Sequence, residues 1–152
     1  MKKMETDRLE IIPCTAKVTQ LLQTQQYDNG PEIDRHLQEL RKDPSLFTWG
    51  SWLIIRKPDG QVIGDAGFKG KPDDQKQVEI GYGLLERYWN KGYATEAMNA
   101  LIEWALAHEE VEKVIAETDR DNQSSIRVLE KIKMKKAQET DGMICWARQQ
   151  SN

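Results

Sequence analysis

A mixed α/β fold, with a central and mostly antiparallel sheet flanked by about four helices, is predicted by three observations. The stretch SWLIIRKPDGQVIGDAGF sets two β-rich runs either side of Lys57-Pro58-Asp59-Gly60, a tight-turn sequence, and reads as an antiparallel hairpin. QVEIGYGLL then alternates along a third strand, with Val78, Ile80, Tyr82 and Leu84 on one face and Glu79, Gly81 and Gly83 on the other. Behind it, Ala94, Ala97, Met98, Leu101 and Ala105 recur at spacings of three and four, the pattern of an amphipathic helix over residues 92–108.

The other elements follow in order. Residues 8–13 form a short strand stopped by Pro13. Residues 16–26 and 31–42 read as two helices separated by Tyr27-Asp28-Asn29-Gly30, whose Asn-Gly pair signals a turn. The hairpin strands cover 52–56 and 62–69, and the third strand covers 77–85. After the long helix, 113–118 supplies a further strand, and 122–132 a helix striped with Ile126, Leu129 and Ile132. A last strand spans 143–148. No repeat, low-complexity tract or linker divides the chain, so residues 1–152 are expected to form one domain, large enough to bury a continuous core.

Composition narrows the function. Charged residues make up 31% and the net charge is -3, which argues against a surface built to neutralise nucleic-acid phosphates. Cys14 and Cys145 lie far apart with no ligand spacing around them, so neither a metal site nor a disulfide framework is expected. The start, MKKMETDRLEIIPC, lacks the apolar core of a signal peptide, and no segment approaches the ~20 apolar residues that span a membrane. A soluble, cytoplasmic protein without membrane partners is the expectation.

The chemistry concentrates in RYWNKGYATEAM, residues 87–98. Glycine lets a backbone approach a bound anion, and the first N–H groups of a helix, unpaired within it, point their positive ends outward. A helix opening through Lys91-Gly92-Tyr93-Ala94 with no serine cap therefore reads as a phosphate cradle. The P-loop pattern Gly-x4-Gly-Lys-Ser/Thr is absent, which disfavours a nucleotide triphosphatase. In the preceding strand one carboxylate, Glu79, shares a face with two positions that have no side chain, and interior strand glycines commonly mark a place where a ligand comes close.

Strand, glycine loop and helix together resemble the GNAT superfamily of acyl-CoA-dependent N-acetyltransferases, whose signature Gln/Arg-x-x-Gly-x-Gly/Ala is matched by Trp89-Asn90-Lys91-Gly92-Tyr93-Ala94. Trp89 departs from the usual first residue, but the sequence is similar to the RimJ/RimL branch of ribosomal-protein N-terminal acetyltransferases, where Trp is common there and Gly-Tyr-Ala-Thr-Glu-Ala follows. METDRLEI, GQVIGDAGF, EIGYGL and DNQSSIRVLEKI extend the resemblance over nearly the whole chain. It implies a GNAT-like fold and acetyl-CoA as co-substrate. The CoA diphosphate would sit on the backbone N–H groups of Lys91, Gly92, Tyr93, Ala94 and Thr95, beside Asn90, and Arg87 and Lys91 would offer charge to the phosphates. Pantetheine would lie along Ile80, Gly81, Leu84 and Leu85 like an added strand.

Acetyl transfer to an amine needs a neutral amine, a polarised carbonyl and a proton for the departing thiolate. Amines of pKa about 8 to 10 arrive mostly protonated at neutral pH, so a base is required. Glu79 is the expected base, directly or through water, and the N–H of Ile80 or Gly81 the expected carbonyl donor. The plain alternative for Glu79 is a solvent-facing strand carboxylate. Many relatives supply the thiolate proton from a tyrosine, but Leu129 stands at that position and cannot donate. Ser125 is expected to hydrogen-bond the sulfur and Asn122 the pantetheine amides, Asn122 also fitting a helix N-cap. Lys133-Met134 replaces the usual Gly-Phe, so the end of that helix is expected to be capped differently.

Other conspicuous residues have plain readings. His36 and His108 are expected on a helix surface and at a helix end, and both cysteines in packing roles. Trp49 and Trp52 are expected in the core, with the acceptor pocket as the alternative; Trp104 and Trp146 are assigned to core, as is Tyr82, which alternates with Val78 and Ile80. The run KIKMKK is expected to be a solvated helix end, with contact to the 3'-phosphate of CoA as the alternative. Acceptor specificity would come from the first two helices and from ETDGMI before the last strand. An amine-acetylating enzyme is the main expectation, with a homodimer as a further one; an acyl-CoA-binding sensor without turnover, or transfer of a longer acyl chain, are the alternatives.

Overall fold

The computed structural model describes residues 3–27 and 30–150. Asp28 and Asn29 of the expected turn lie outside the described residues. Eight strands form one sheet, β1 (Met4–Glu5), β2 (Leu9–Pro13), β3 (Ser51–Arg56), β4 (Gln61–Phe68), β5 (Gln77–Leu84), β6 (Lys113–Asp119), β7 (Lys135–Glu139) and β8 (Met143–Gln149), in the order β1-β2-β3-β4-β5-β6-β8-β7. The helices are α1 (Val18–Gln25), α2 (Gly30–Lys42), α3 (Tyr93–Leu106) and α4 (Gln123–Lys131). Every pairing is antiparallel except that of β5 with β6, which α3 joins as a crossover. The expected elements are all present within two residues of their bounds.

Alternation along β3 explains the layering. Trp52 and Ile54 point into the larger core with Ile63, Phe68 and Ile80 and with Met98 and Leu101 of α3, while Leu53 and Ile55 point to a second cluster with Val18, Ile33 and Leu37 of α1 and α2. Helices α3 and α4 thus cover one sheet face and α1 and α2 the other. Trp49, Trp104 and His108 stack at one edge of the larger core, with ring centroids 5.0 Å apart for the two indoles and 4.4 Å for Trp104 and His108.

Three features depart from expectation. Strand β7, KKAQE, is exposed at every residue, so it carries no apolar alternation; it is an edge strand that pairs with β8, with the Lys136 ammonium over the Trp146 ring. His36 is buried, because α2 turns this face onto the sheet, and a Cβ at Gly50 would fall 2.0 Å from its ring. Burial pushes its imidazole down, against the opposing Glu39 charge and a hydrogen bond with the Cys14 backbone.

The third concerns the end of α4, which is capped in the ordinary glycine manner despite having no glycine. Lys133 adopts φ 67°. Its N–H donates to the Glu130 carbonyl at 3.1 Å and that of Met134 to the Leu129 carbonyl at 3.0 Å, with Leu129 and Met134 both buried. This is the paired bonding and apolar contact of a Schellman motif, built with a lysine in the left-handed position. Left-handed backbone costs a residue with a Cβ about 1–2 kcal/mol. Lys133→Gly is therefore expected to stabilise the protein by about 1 kcal/mol, read as a higher urea midpoint at unchanged slope.

Candidate functional site

The site forms where β5 and β6 part. They pair only at Gln77, Val78 and Glu79 with Lys113, Val114 and Ile115, although β5 runs on to Leu84 and β6 to Asp119. On its other edge β5 stays paired with β4 through Leu84. The Lys69 N–H donates to the Glu79 carbonyl and the Leu85 N–H to the Ile63 carbonyl, both at 2.9 Å. Alternation then directs the N–H of Gly81 into the β4 ladder and those of Ile80 and Tyr82 toward β6, where the pairing of Glu79 with Ile115 commits the Ile80 N–H to the Ile115 carbonyl. Neither expected carbonyl donor is therefore free, and Tyr82 is the first residue of β5 whose N–H faces the gap.

The two faces of β5 differ. On the α1 and α2 side, Gly67 pairs with Gly81 and Asp65 with Gly83, and a Cβ at Gly81 or Gly83 would meet nothing within 4 Å. The open space is a cavity of about 330 Å³ floored by Gly67, Gly81 and Gly83 and walled by Asp65, Lys69 and Glu32. Tyr27 fixes the buried Asp65, donating its hydroxyl to Oδ2 at 2.6 Å. Glu79 shares this face, half-buried, and its Oε2 lies 2.7 Å from the Lys69 Nζ. That hydrogen bond holds the Lys69 ammonium above its ordinary value.

A second cavity, about 560 Å³, lies between the end of β5, the start of α3 and the side of α4. Asn90 and Gly92 both adopt left-handed backbone, φ 62° and 84°, which turns the chain sharply into α3. Gly92 is the N-cap and supplies no side-chain bond; the first capping carbonyl bond, Glu96 N–H to Gly92, leaves the N–H groups of Tyr93, Ala94 and Thr95 without an intrahelical acceptor. Arg127 and Lys131, one turn apart on α4, put two cations on the same cavity.

The loop is held from the far end of the sequence. Arg8 donates Nε to the Glu96 Oε1 at 2.7 Å and Nη1 to the Lys91 carbonyl at 2.9 Å, and its guanidinium lies 4.3 Å from the Tyr93 ring centre. Glu96 also accepts the Arg8 N–H at 3.0 Å and the Thr6 hydroxyl. Burial pushes the Glu96 carboxyl up, but the bonds from Thr6 and Arg8 outweigh it and hold it below its ordinary value.

On α4, Asn122 is the N-cap, its Oδ1 accepting from the Ser125 N–H at 3.2 Å. The Ser125 hydroxyl stands 3.1 Å from that of Tyr82. Tyr82, only partly buried, lines both cavities, as does Gly83. Leu129 is buried in the core. The thiols are poor nucleophiles: burial and the Asp65 charge push Cys14 up to about 12, and burial with the charges of Glu117 and Glu79 raises Cys145.

The second cavity thus gathers Leu84, Asn90, Gly92, Tyr93, Ala94, Thr95, Asn122 and Ser125 from the expected set. Gly81 lines the smaller cavity instead. Ile80 is buried in the core, its N–H closing the last β5–β6 rung. Leu85, Arg87 and Lys91 do not line either cavity: Leu85 packs against the core, Arg87 lies over the Tyr88 ring at 5.1 Å, and the Lys91 carbonyl is held by Arg8. Of KIKMKK, Lys131 reaches the larger cavity. Arg8, Glu96 and Arg127 were not singled out by sequence, and Tyr82 was assigned to core; the i, i+4 cations at 127 and 131 were a legible signal, the contact from Arg8 to Glu96 was not.

A mixed sheet parted at a strand edge, beside a helix start rich in free N–H groups, defines an α/β arrangement with a cavity open along β5. The acetyltransferase (GNAT) domain family matches residues 12–135, and the chain belongs to it. Members of this family use acetyl-CoA. The chain is similar to YjdG, an uncharacterized N-acetyltransferase of Bacillus subtilis, at 39% identity over 93 residues, 61% of this chain and 55% of the relative. It spans about half the length of the curated relatives it matches. Its fold is similar to that of ribosomal-protein-S5-alanine acetyltransferase from Vibrio fischeri, with TM-score 0.78 at 15% identity over 100% of this chain and 98% of the other. It also resembles RimL, a ribosomal L7/L12 α-N-protein acetyltransferase solved in complex with coenzyme A, with TM-score 0.75 at 17% identity over 97% and 98%.

The Arg8 clamp yields a linkage prediction. A carboxyl held below its unfolded value, about 4.3, contributes stability that is complete above that value and is lost as pH falls through the folded one. Glu96→Gln is expected to lower unfolding free energy by about 1–2 kcal/mol at pH 7. In urea titrations the gap from wild type should narrow below pH 4.

Proposed function

We propose that the chain transfers acetyl from acetyl-CoA directly to a primary amine, of a small molecule or a peptide N-terminus, as an N-acetyltransferase of the RimJ/RimL branch. The observation that carries this reading is that two cavities share Tyr82 and Gly83 of β5, one opening on the helix start and the other over a glycine floor walled by Lys69, which Glu79 holds from outside the lining. The loop sequence and the presence of ribosomal-protein acetyltransferases among its structural relatives support the branch.

In this reading the larger cavity takes CoA. Its diphosphate meets the N–H groups opening α3, with Arg127 and Lys131 neutralising charge, and pantetheine pairs with the exposed edge of β5 as a short extra strand. The thioester carbonyl then lies against the Tyr82 N–H, the first on that edge of β5 past the parting, which stabilises the oxyanion as the tetrahedral intermediate forms. The acceptor enters the smaller cavity over Gly67, Gly81 and Gly83. Glu79 takes the ammonium proton directly or through water, its carboxylate oriented by Lys69. The inert thiols fit direct transfer without an acyl-cysteine.

A second reading, an acyl-CoA sensor without turnover, is favoured by Leu129, which leaves no donor at the family's tyrosine position. Glu79 on the glycine face weighs against it, since a passive CoA holder needs no base. The two are separated by thiol release from acetyl-CoA against a panel of amines and N-terminal peptides, with calorimetric CoA binding alongside. Glu79→Gln is expected to lower amine-dependent release at least tenfold with CoA affinity unchanged. CoA binding without release on the panel would favour the sensor, and absence of CoA binding would defeat both.

A further inference from the structure

We propose that Tyr82, acting through Ser125, supplies the proton that the CoA thiolate takes as the acetyl group leaves. The inference rests on the direct-transfer reading above. Tyr82 reaches α4 from the sheet side: it alternates with Val78 and Ile80, packs partly into the core, and ends 3.1 Å from the Ser125 Oγ. Both residues line the larger cavity, so the hydroxyl pair stands in the wall of the space that opens along the free edge of β5. Ser125 is held there by the first turn of α4, its N–H donating to the Asn122 cap.

The chemistry requires a second hydroxyl. Serine alone is too weak an acid to be left as an alkoxide after giving up its proton. A phenol ordinarily titrates near ~10 and a thiol near ~8.5, a gap small enough for proton transfer in the transition state. As the tetrahedral intermediate collapses, the C–S bond breaks and its electron pair passes to sulfur. Sulfur takes the Ser125 proton while Ser125 takes that of Tyr82. The phenolate is reprotonated from water, while the nitrogen gives up two protons through Glu79, the ammonium proton before attack and, once Glu79 has passed that one to solvent, a second as the amide forms, so one proton is released overall as amide and thiol are made. A hydroxyl from β5 thereby stands in for the one missing at Leu129.

The test is Tyr82→Phe, Ser125→Ala and the double variant, compared with wild type by amine-dependent thiol release across pH and by calorimetric CoA affinity. Tyr82→Phe is expected to lower kcat at least tenfold with CoA affinity within twofold of wild type, and to abolish the alkaline limb of the kcat profile. Because the hydroxyls act in series, the double variant should fall no further than the worse single variant. A Tyr82→Phe enzyme with wild-type kcat overturns the inference and leaves the acetyltransferase reading standing. So does a loss that comes with weakened CoA binding and an unmoved alkaline limb, the mark of a packing role. Wild-type protein that binds CoA and releases no thiol with any amine overturns both.

Discussion

The parting of β5 from β6 is the constraint on which the rest of the structure depends. Buried backbone N–H and C=O groups must find partners, and a strand that leaves its neighbour exposes a row of them. In this chain the parting begins after Glu79 and Ile115, in the middle of both strands, while β4 holds the other edge of β5 throughout. The strand therefore keeps one edge fully paired while its free edge faces a cavity. Each neighbouring element is placed by this opening: α3 must cross over to make β6 parallel, and α4 must start beside the gap because β6 ends there. The site is a consequence of strand pairing before any side chain is considered.

Electrostatics then decide what fills the gap. The chain carries a net charge of -3, so binding a polyanion depends on local rather than overall charge. Arg8 looks like a phosphate ligand by position, yet its guanidinium is neutralised by Glu96 and occupied by the Lys91 carbonyl. Its effect is to hold the loop so that Gly92 can turn with φ 84° and the N–H groups of residues 93–95 face outward together. Positive potential comes from those N–H groups, joined by Arg127 and Lys131. A fixed array of dipoles costs no side-chain ordering when a ligand arrives, which is why the clamp matters more than an extra free cation would.

The sequence was legible where periodicity and burial coincide. The hairpin at Pro58, the stripe of α3 and the glycine face of β5 all have one apolar side and one that is not, and the structure holds each of them. The loop from Asn90 to Thr95 was legible for another reason: a helix opening through glycine with no cap has few explanations. Strand β7 was hidden because it is an exposed, charged edge, and the left-handed Lys133 because nothing in local sequence announces that a lysine will occupy a glycine's place. His36 was misread as surface since the apolar stripe of α2 is too thin to reveal which face the sheet will cover. The Arg8–Glu96 contact spans 88 positions and has no local signature at all.

Tyr82 shows why strand parity is an incomplete guide to role. Alternation correctly puts it with Val78 and Ile80 on the core face, and by that logic it is packing. Parity fixes only the direction in which a side chain leaves the strand, whereas tyrosine is long enough to carry its hydroxyl past the core layer to the next helix. Ser125 and Leu129 lie one turn apart on that helix, so a hydroxyl arriving at Ser125 from β5 and one carried by residue 129 would serve the same neighbourhood. The buried Leu129 fills apolar space that a phenol could occupy only by bringing a polar group into the core. Placing the hydroxyl on β5 avoids that cost and sets it against Ser125 in the wall of the larger cavity, the one that opens along the free edge of β5.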